Sequence, residues 1–312
     1  MSTINQMSRL QEACKEKGPL CIGLDTDPSY LPPEVLSKYS SPAKAVLAYN
    51  KALIRATHRY AACYKVQIAY YEAMGLEGLK CYCETLKAIK AKNVPVISDI
   101  KRGDIADTAK AYARAHFSGD FETDIITVNP YMGFDTLEPF IEYTHPDKGG
   151  KGFFVLLRTS NPGMVDLEKQ ELKDGKELLS RVGEQLLTIS DKLLPEYNNE
   201  GCSPVGAVVG CTEEADARAI RDAYPNIFFL IPGYGAQGGA ARIAATLLDK
   251  AGGTVNSSRG ILCAWKKDEN LAEKKEKGLL TLADIVASAK NAAKASKQDL
   301  LKAKKALAKG KK

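Results

Sequence analysis

Short apolar or β-branched runs recur along the chain, each followed by a longer stretch in which apolar residues return every three or four positions. The first pattern predicts buried strands and the second amphipathic helices. Strands are expected at 20–25 (LCIGLD), 63–68 (CYKVQI), 94–101 (VPVISDIK), 124–129 (DIITVN), 152–158 (GFFVLLR), 205–210 (VGAVVG), 226–232 (NIFFLIP) and 254–258 (TVNSS). Helical patterns span 42–60, 72–92, 105–117, 135–143, 175–194, 213–223 and 238–250, with a last one from Thr281 onward. Strands that are apolar nearly throughout, each leading into a helix, belong to a parallel sheet covered on its outer side. Eight such units in one unbroken alternation predict an α/β chain folded as a single-domain (β/α)8 TIM barrel over residues 1–295, in preference to a doubly wound open sheet. Residues 296–312 are expected to form a lysine-rich extension, helical or disordered. The two longest irregular stretches, Asn161 to Asp174 and Trp265 to Gly278, are expected as a loop over the barrel mouth and a surface insertion.

Composition adds little to this picture until the charge is located. The 312 residues are 45% apolar and 26% charged, which suits an ordinary globular protein. No apolar run approaches the roughly 18 residues needed to cross a bilayer, and the polar N-terminus MSTINQMSRLQEACKEKG has no signal-peptide core. A cytoplasmic protein with no membrane partner is expected. The net charge of +6 hints at nucleic acid, but residues 266–312 carry 14 Lys against 6 acids, while residues 1–265 carry 30 basic and 32 acidic groups. The basicity lies in the tail, which has no aromatic for base stacking and no arginine for guanine readout, so no nucleic-acid partner is expected. None of the eight cysteines forms a C-x-x-C pair, and His58, His116 and His145 fall singly. The thiols read as buried core residues, and no metal site is expected.

Barrel chemistry sits at the C-terminal strand ends. Those ends supply Asp25, Lys65, Asp99 with Lys101, Asn129, Arg158 with Thr159 and Ser160, and Arg259. The densest segment is SDIKRGDIADTAKAYA. Residues two apart on a strand share a face, so Asp99 and Lys101 point the same way, and Asp104 follows at the turn. Flanking acids keep a lysine protonated, which suits a general acid better than a Schiff-base nucleophile. The second segment, IPGYGAQGG, places Gly233, Gly235 and Gly238 after the seventh strand. It fits G-x-G-x-x-G, but no acidic residue ends the next strand as a dinucleotide site requires; Arg259 stands there instead. A glycine-rich loop and an arginine after strands seven and eight predict a phosphate site.

The segments GLDTDP, YKVQIAYYE, SDIKRGDI, TVNPYMG, LLRTSNPG, VVG, PGYGAQGG and SSRG, in order from residue 20 to about 262, resemble orotidine 5'-phosphate decarboxylase, in the longer branch of that family. The resemblance implies direct decarboxylation of orotidine 5'-phosphate (OMP) to UMP and CO2 in pyrimidine biosynthesis, without a cofactor, by a homodimer with shared active sites. It implies Lys101 as the proton donor to C6, Asp99 against the departing carboxylate, and Asp104 reaching into the neighbouring subunit's site. Lys65 and Asp25 would contact the ribose, with Thr108 joining across the interface. Asp27, two residues on, competes with Asp25 for that role. Ser160 would bond the base, and Gln237 and Arg259 would hold the phosphate; Asn129 and Gly235 complete the expected substrate-binding set. The alternative within the same barrel group is a magnesium-dependent sugar-phosphate aldolase or decarboxylase, which EDTA would silence. Deletion beyond about residue 295 is expected to leave decarboxylation largely intact.

Overall fold

The computed structural model describes residues 4–234 and 238–309. Eight parallel strands close into a barrel in sequence order: β1 (Leu20–Gly23), β2 (Cys63–Gln67), β3 (Val96–Arg102), β4 (Ile125–Val128), β5 (Gly152–Arg158), β6 (Val205–Val209), β7 (Phe229–Ile231) and β8 (Gly253–Ser257). All eight lie where the apolar runs place them. β8 pairs back onto β1, with Cys21 opposite Asn256, so the sheet has no free edge. Helices such as Pro42–Thr57, Gly75–Lys90, Ala106–Phe117, Leu178–Leu193 and Glu214–Ala223 cover the outside, and their inward faces bury leucine, isoleucine and tyrosine side chains against the strands. Between β4 and β5 the expected helix at 135–143 is broken into short turns around Glu138–Ile141, where Pro139 interrupts the pattern.

The alternation of strand side chains builds the interior in layers. Cys21, Cys63, Ile97, Ile125, Phe154, Val208 and Leu230 form an apolar floor. A helix that the hydropathy reading left unassigned, Gln6–Lys17, completes this floor from below, with Met7 and Leu10 fully buried in it. Asn5 caps that helix by accepting from Ser8 N, while its amide donates to Cys202 O at 2.9 Å. One step up, the inward positions of β2, β3, β4 and β8 become polar.

Two expectations about the periphery change. The helix Leu282–Lys309 runs without a break through position 295. Leu300 is fully buried, Leu301 packs on Gly18, and Asp299 accepts a hydrogen bond from Tyr234. Removing everything after 295 would take Leu300 and Leu301 out of this packing. Among the thiols, Cys21, Cys63, Cys81 and Cys202 are buried, whereas Cys14, Cys83, Cys211 and Cys263 are only half-buried; all eight are free. Among the described residues, no helix is long and apolar enough to cross a membrane, and no group of His, Cys, Asp and Glu is arranged to hold a metal.

Candidate active site

The inward positions above the apolar floor are Gly23, Lys65, Asp99 and Thr127 on the first four strands, with Asn256 on β8. Here the charges meet. Lys65 Nζ lies 3.0 Å from Asp25 Oδ1 and 2.9 Å from Asp99 Oδ2, and Lys101 Nζ lies 2.6 Å from Asp99 Oδ1. The four groups thus alternate in sign, with Lys65 and Asp99 almost wholly buried and Lys101 exposed. Burial alone would lower Lys65, but Asp99 and Asp25 outweigh it and hold the ammonium above the ordinary lysine range. Burial likewise pushes Asp99 up, and Lys65 and Lys101 reverse this, holding its carboxyl well below the usual range. Each buried charge is compensated by its neighbours, which is the condition for keeping it ionised at that depth.

Lys101 does not reach Asp99 through strand alternation. Its φ is 46°, in the left-handed region, and the pairing of β3 with β4 jumps from Ser98 opposite Ile126 to Arg102 opposite Val128. The chain bulges between those points, and Ile100 N and Lys101 N both donate to Thr127 Oγ1 at 3.0 Å. Thr127 in turn donates to Asp99 Oδ1 at 2.9 Å. The bulge turns the Lys101 side chain into the mouth.

On the other side, Ser258 Oγ donates to Asp25 Oδ2 at 2.7 Å and accepts from Asn256 Nδ2 at 3.1 Å. Position 23 must be glycine for this, because a Cβ there would stand 2.0 Å from Ser258 Oγ. Asp27 takes a different part. Its Oδ1 accepts from Ser29 N at 2.8 Å and caps the turn Pro28–Tyr30, so Asp25 is the aspartate in the array.

A cavity of about 720 Å³ opens over the array, lined by Asp25, Lys65, Asp99, Gln67 and Tyr70 on one side and by Gly233, Tyr234, Ser258 and Arg259 on the other. Arg259 is exposed at the rim. Gly235 and Gln237, expected beside it, lie outside the described residues. The stretch from Trp265, expected as a surface insertion, begins at this rim: Lys266 and Lys267 line the cavity, and Trp265 Nε1 donates to Tyr30 O at 2.9 Å. These two lysines escaped the sequence reading because they were counted with the basic tail.

The remaining candidates fall outside the array. Asp104 bonds only locally, accepting from Ile105 N at 2.8 Å, and Thr108 is exposed one turn further on. Asn129 accepts from Tyr131 N in a turn and lines a second, apolar cavity of about 480 Å³. The expected mouth loop, Asn161 to Asp174, contributes Asn161, Met164, Leu167 and Glu168 to the wall of that second cavity. Ser160 is exposed at the end of β5, following Thr159, whose N and Oγ1 both donate to Glu168. Arg158 is buried in ion pairs with Asp216 and Glu168 and holds the scaffold rather than the mouth. Thr127 and Ser258 were missed, although Thr127 lies two residues before Asn129 on the same strand face, a signal that the period-two reading contains.

Residues 18–273 match the family described as Orotidine 5'-phosphate decarboxylase / HUMPS family. The orotidine 5'-phosphate decarboxylase of Clostridium botulinum (strain Loch Maree / Type A3) is 52% identical over 262 residues, covering 84% of this chain and 90% of its own length. That of Clostridium perfringens (strain SM101 / Type A) is 48% identical over 285 residues, covering 90% and 98%. Among solved structures, the OMP decarboxylase of Leishmania donovani aligns with a TM-score of 0.65 at 32% identity, covering 92% of this chain and 99% of that one.

Proposed function

The chain belongs to the orotidine 5'-phosphate decarboxylase / HUMPS family, and on that footing we propose that its charged mouth converts OMP to UMP and CO2 by direct decarboxylation, with Lys101 delivering the proton to C6. The observation that carries this reading is the exposed Lys101 Nζ, 2.6 Å from Oδ1 of Asp99, a carboxylate that lines the same cavity as Arg259. Arg259 takes the phosphate, with Lys266 and Lys267 adding positive field; the resemblance assigns Gln237 and Gly235 to the same ligand. Asp25 and Lys65 meet the ribose, and Ser160 meets the base. Asn129, which lines the second cavity, is assigned to the substrate only by the resemblance.

In the chemical step the bond between C6 and the carboxylate breaks and CO2 departs. The electron pair stays on C6, in the ring plane, where the π system cannot share it. Lys101 Nζ gives that carbon a proton and regains one from water, so atoms and charge balance with no redox partner. General acid catalysis typically supplies about 10²- to 10⁴-fold, far less than the upper end of enzymatic accelerations. The rest is asked of the fixed ammonium beside the developing charge, and of phosphate binding expressed in the transition state. The buried Lys65–Asp99 pair holds the array rigid while charge moves, which is what preorganisation requires.

Asp104 and Thr108 support a dimer with shared sites. Gly103, which has no room for a Cβ because Asn129 O would stand 2.9 Å from it, packs the 103–106 turn onto the loop after β4. Ile105, Tyr131 and Met132 are exposed on these two loops, flanking Asp104 with apolar surface. A second copy covering this surface would bring its own Asp104 and Thr108 toward the neighbouring mouth. The test is turnover by the purified protein: loss of OMP absorbance in the presence of EDTA is expected, and absence of turnover, or its abolition by chelation, would overturn the reading.

A further inference from the structure

We propose that the Thr127 hydroxyl is a positioning group for the decarboxylation, fixing at once the left-handed turn at Lys101 and the orientation of the Asp99 carboxylate. The inference rests on the decarboxylase reading above and concerns how the proton donor is held. A hydroxyl has one proton to donate and two lone pairs to accept with. In Thr127 all three are used: Ile100 N and Lys101 N each donate to it at 3.0 Å, and it donates to Asp99 Oδ1 at 2.9 Å. With both lone pairs engaged by amides, its proton has one direction left, toward Asp99.

The need for this oxygen follows from the register. From Ser98 to Arg102 β3 advances four residues while β4 advances two, from Ile126 to Val128. The surplus residues lose their ladder acceptors, and buried amide groups without partners are costly. Thr127, almost fully buried, supplies an acceptor from a side chain where the opposite backbone cannot. One of the two amides belongs to Lys101 itself, whose φ of 46° is disfavoured for a residue bearing a Cβ and persists only when its surroundings hold it. Asp99 Oδ1 receives both Thr127 and Lys101 Nζ, while its other oxygen receives Lys65. Without the threonine proton the carboxylate is free to rotate toward Lys65, and without the threonine lone pairs the Lys101 backbone is free to relax. Both motions draw the ammonium away from the reacting carbon.

Thr127→Val removes the hydroxyl at nearly constant shape, and Thr127→Ser keeps it. Steady-state kinetics with OMP, UMP inhibition and thermal unfolding are to be measured for both beside the wild type. Because displacement of a reacting group by about 1 Å costs on the order of 100-fold, Thr127→Val is expected to lose about that factor in kcat, with KM and UMP inhibition changed less than about threefold. Thr127→Ser is expected to stay within about fivefold of wild type, since its hydroxyl makes the same three bonds. Should Thr127→Val not fold, Thr127→Cys takes its place, because a thiol of nearly serine size is a weak acceptor. An isosteric variant with wild-type kcat, or a serine variant as impaired as the isostere, overturns the proposal. A wild type without turnover instead overturns the decarboxylase reading, so the two failures are distinct.

Discussion

Asp99 is the residue on which the site turns, because Lys65, Lys101 and Thr127 all donate to its two oxygens. Its carboxyl is held well below the usual range despite burial. The stability it contributes is therefore complete above the ordinary carboxylate pKa of about 3.9 and is lost as pH falls from there toward the depressed folded value. Lys65, raised by Asp99 and Asp25, has the opposite sign: its contribution is complete below the ordinary lysine pKa of about 10.4 and fades as pH rises beyond it. Lys65 and Asp99 accordingly keep their charges across the neutral range. Thermal unfolding of wild type and Asp99→Asn against pH should show a gap that is constant from about pH 5 to 8 and narrows below about pH 4; a gap that widens on acidification would contradict the assignment. Asp25, Lys65, Asp99 and Lys101 were legible in the sequence because charged residues ending apolar strands have few structural uses. Thr127 and Ser258 were not, because neutral hydroxyls in β-branched strands read as ordinary strand formers. Asp25 and Asp27 were indistinguishable by spacing, and a turn cap at Asp27 separates them.

Strands were the easiest elements to read, since each buried run is bounded by polar residues and glycines, and all eight close the barrel. The bulge in β3 was illegible. Nothing in SDIKRG marks a left-handed lysine, and simple alternation gave the right neighbour, Asp99, for an incomplete reason. The helix Gln6–Lys17 was hidden by its polar composition, though Met7, Leu10 and Cys14 carry the three-then-four spacing of a narrow buried stripe. Its role is to close the floor beneath the charged layer. Leu10→Ala should cost about 2 to 5 kcal/mol, as buried leucine truncations do, read as a lower urea midpoint. A change below about 0.5 kcal/mol, typical of surface substitutions, would mean that the helix does not plug the barrel.

The molecule as a whole joins its two ends to the barrel: the N-terminal helix from beneath, and the helix Leu282–Lys309 from the side, where Asp299 meets Tyr234 beside the cavity. The charge count identified the second segment as basic but not as packed, since its buried anchors, Ile285, Ser288, Ala289, Ala293 and Leu300, stand among many exposed lysines. A complementation experiment reads association directly. Equal mixtures of Lys101→Ala and Asp104→Ala subunits should regain up to about a quarter of wild-type turnover if each mouth borrows Asp104 from its neighbour, because about half the dimers are hybrids and each hybrid has one intact mouth. No recovery at demonstrated mixing would contradict shared sites. The central claim, that a fixed ammonium meets the carbanion, is tested most directly by a crystal structure of the complex with UMP. Lys101 Nζ is expected about 2.6 to 3.2 Å from C6, the reach of a proton donor, with Arg259 on the phosphate; an ammonium turned away from C6 in that complex would refute the mechanism.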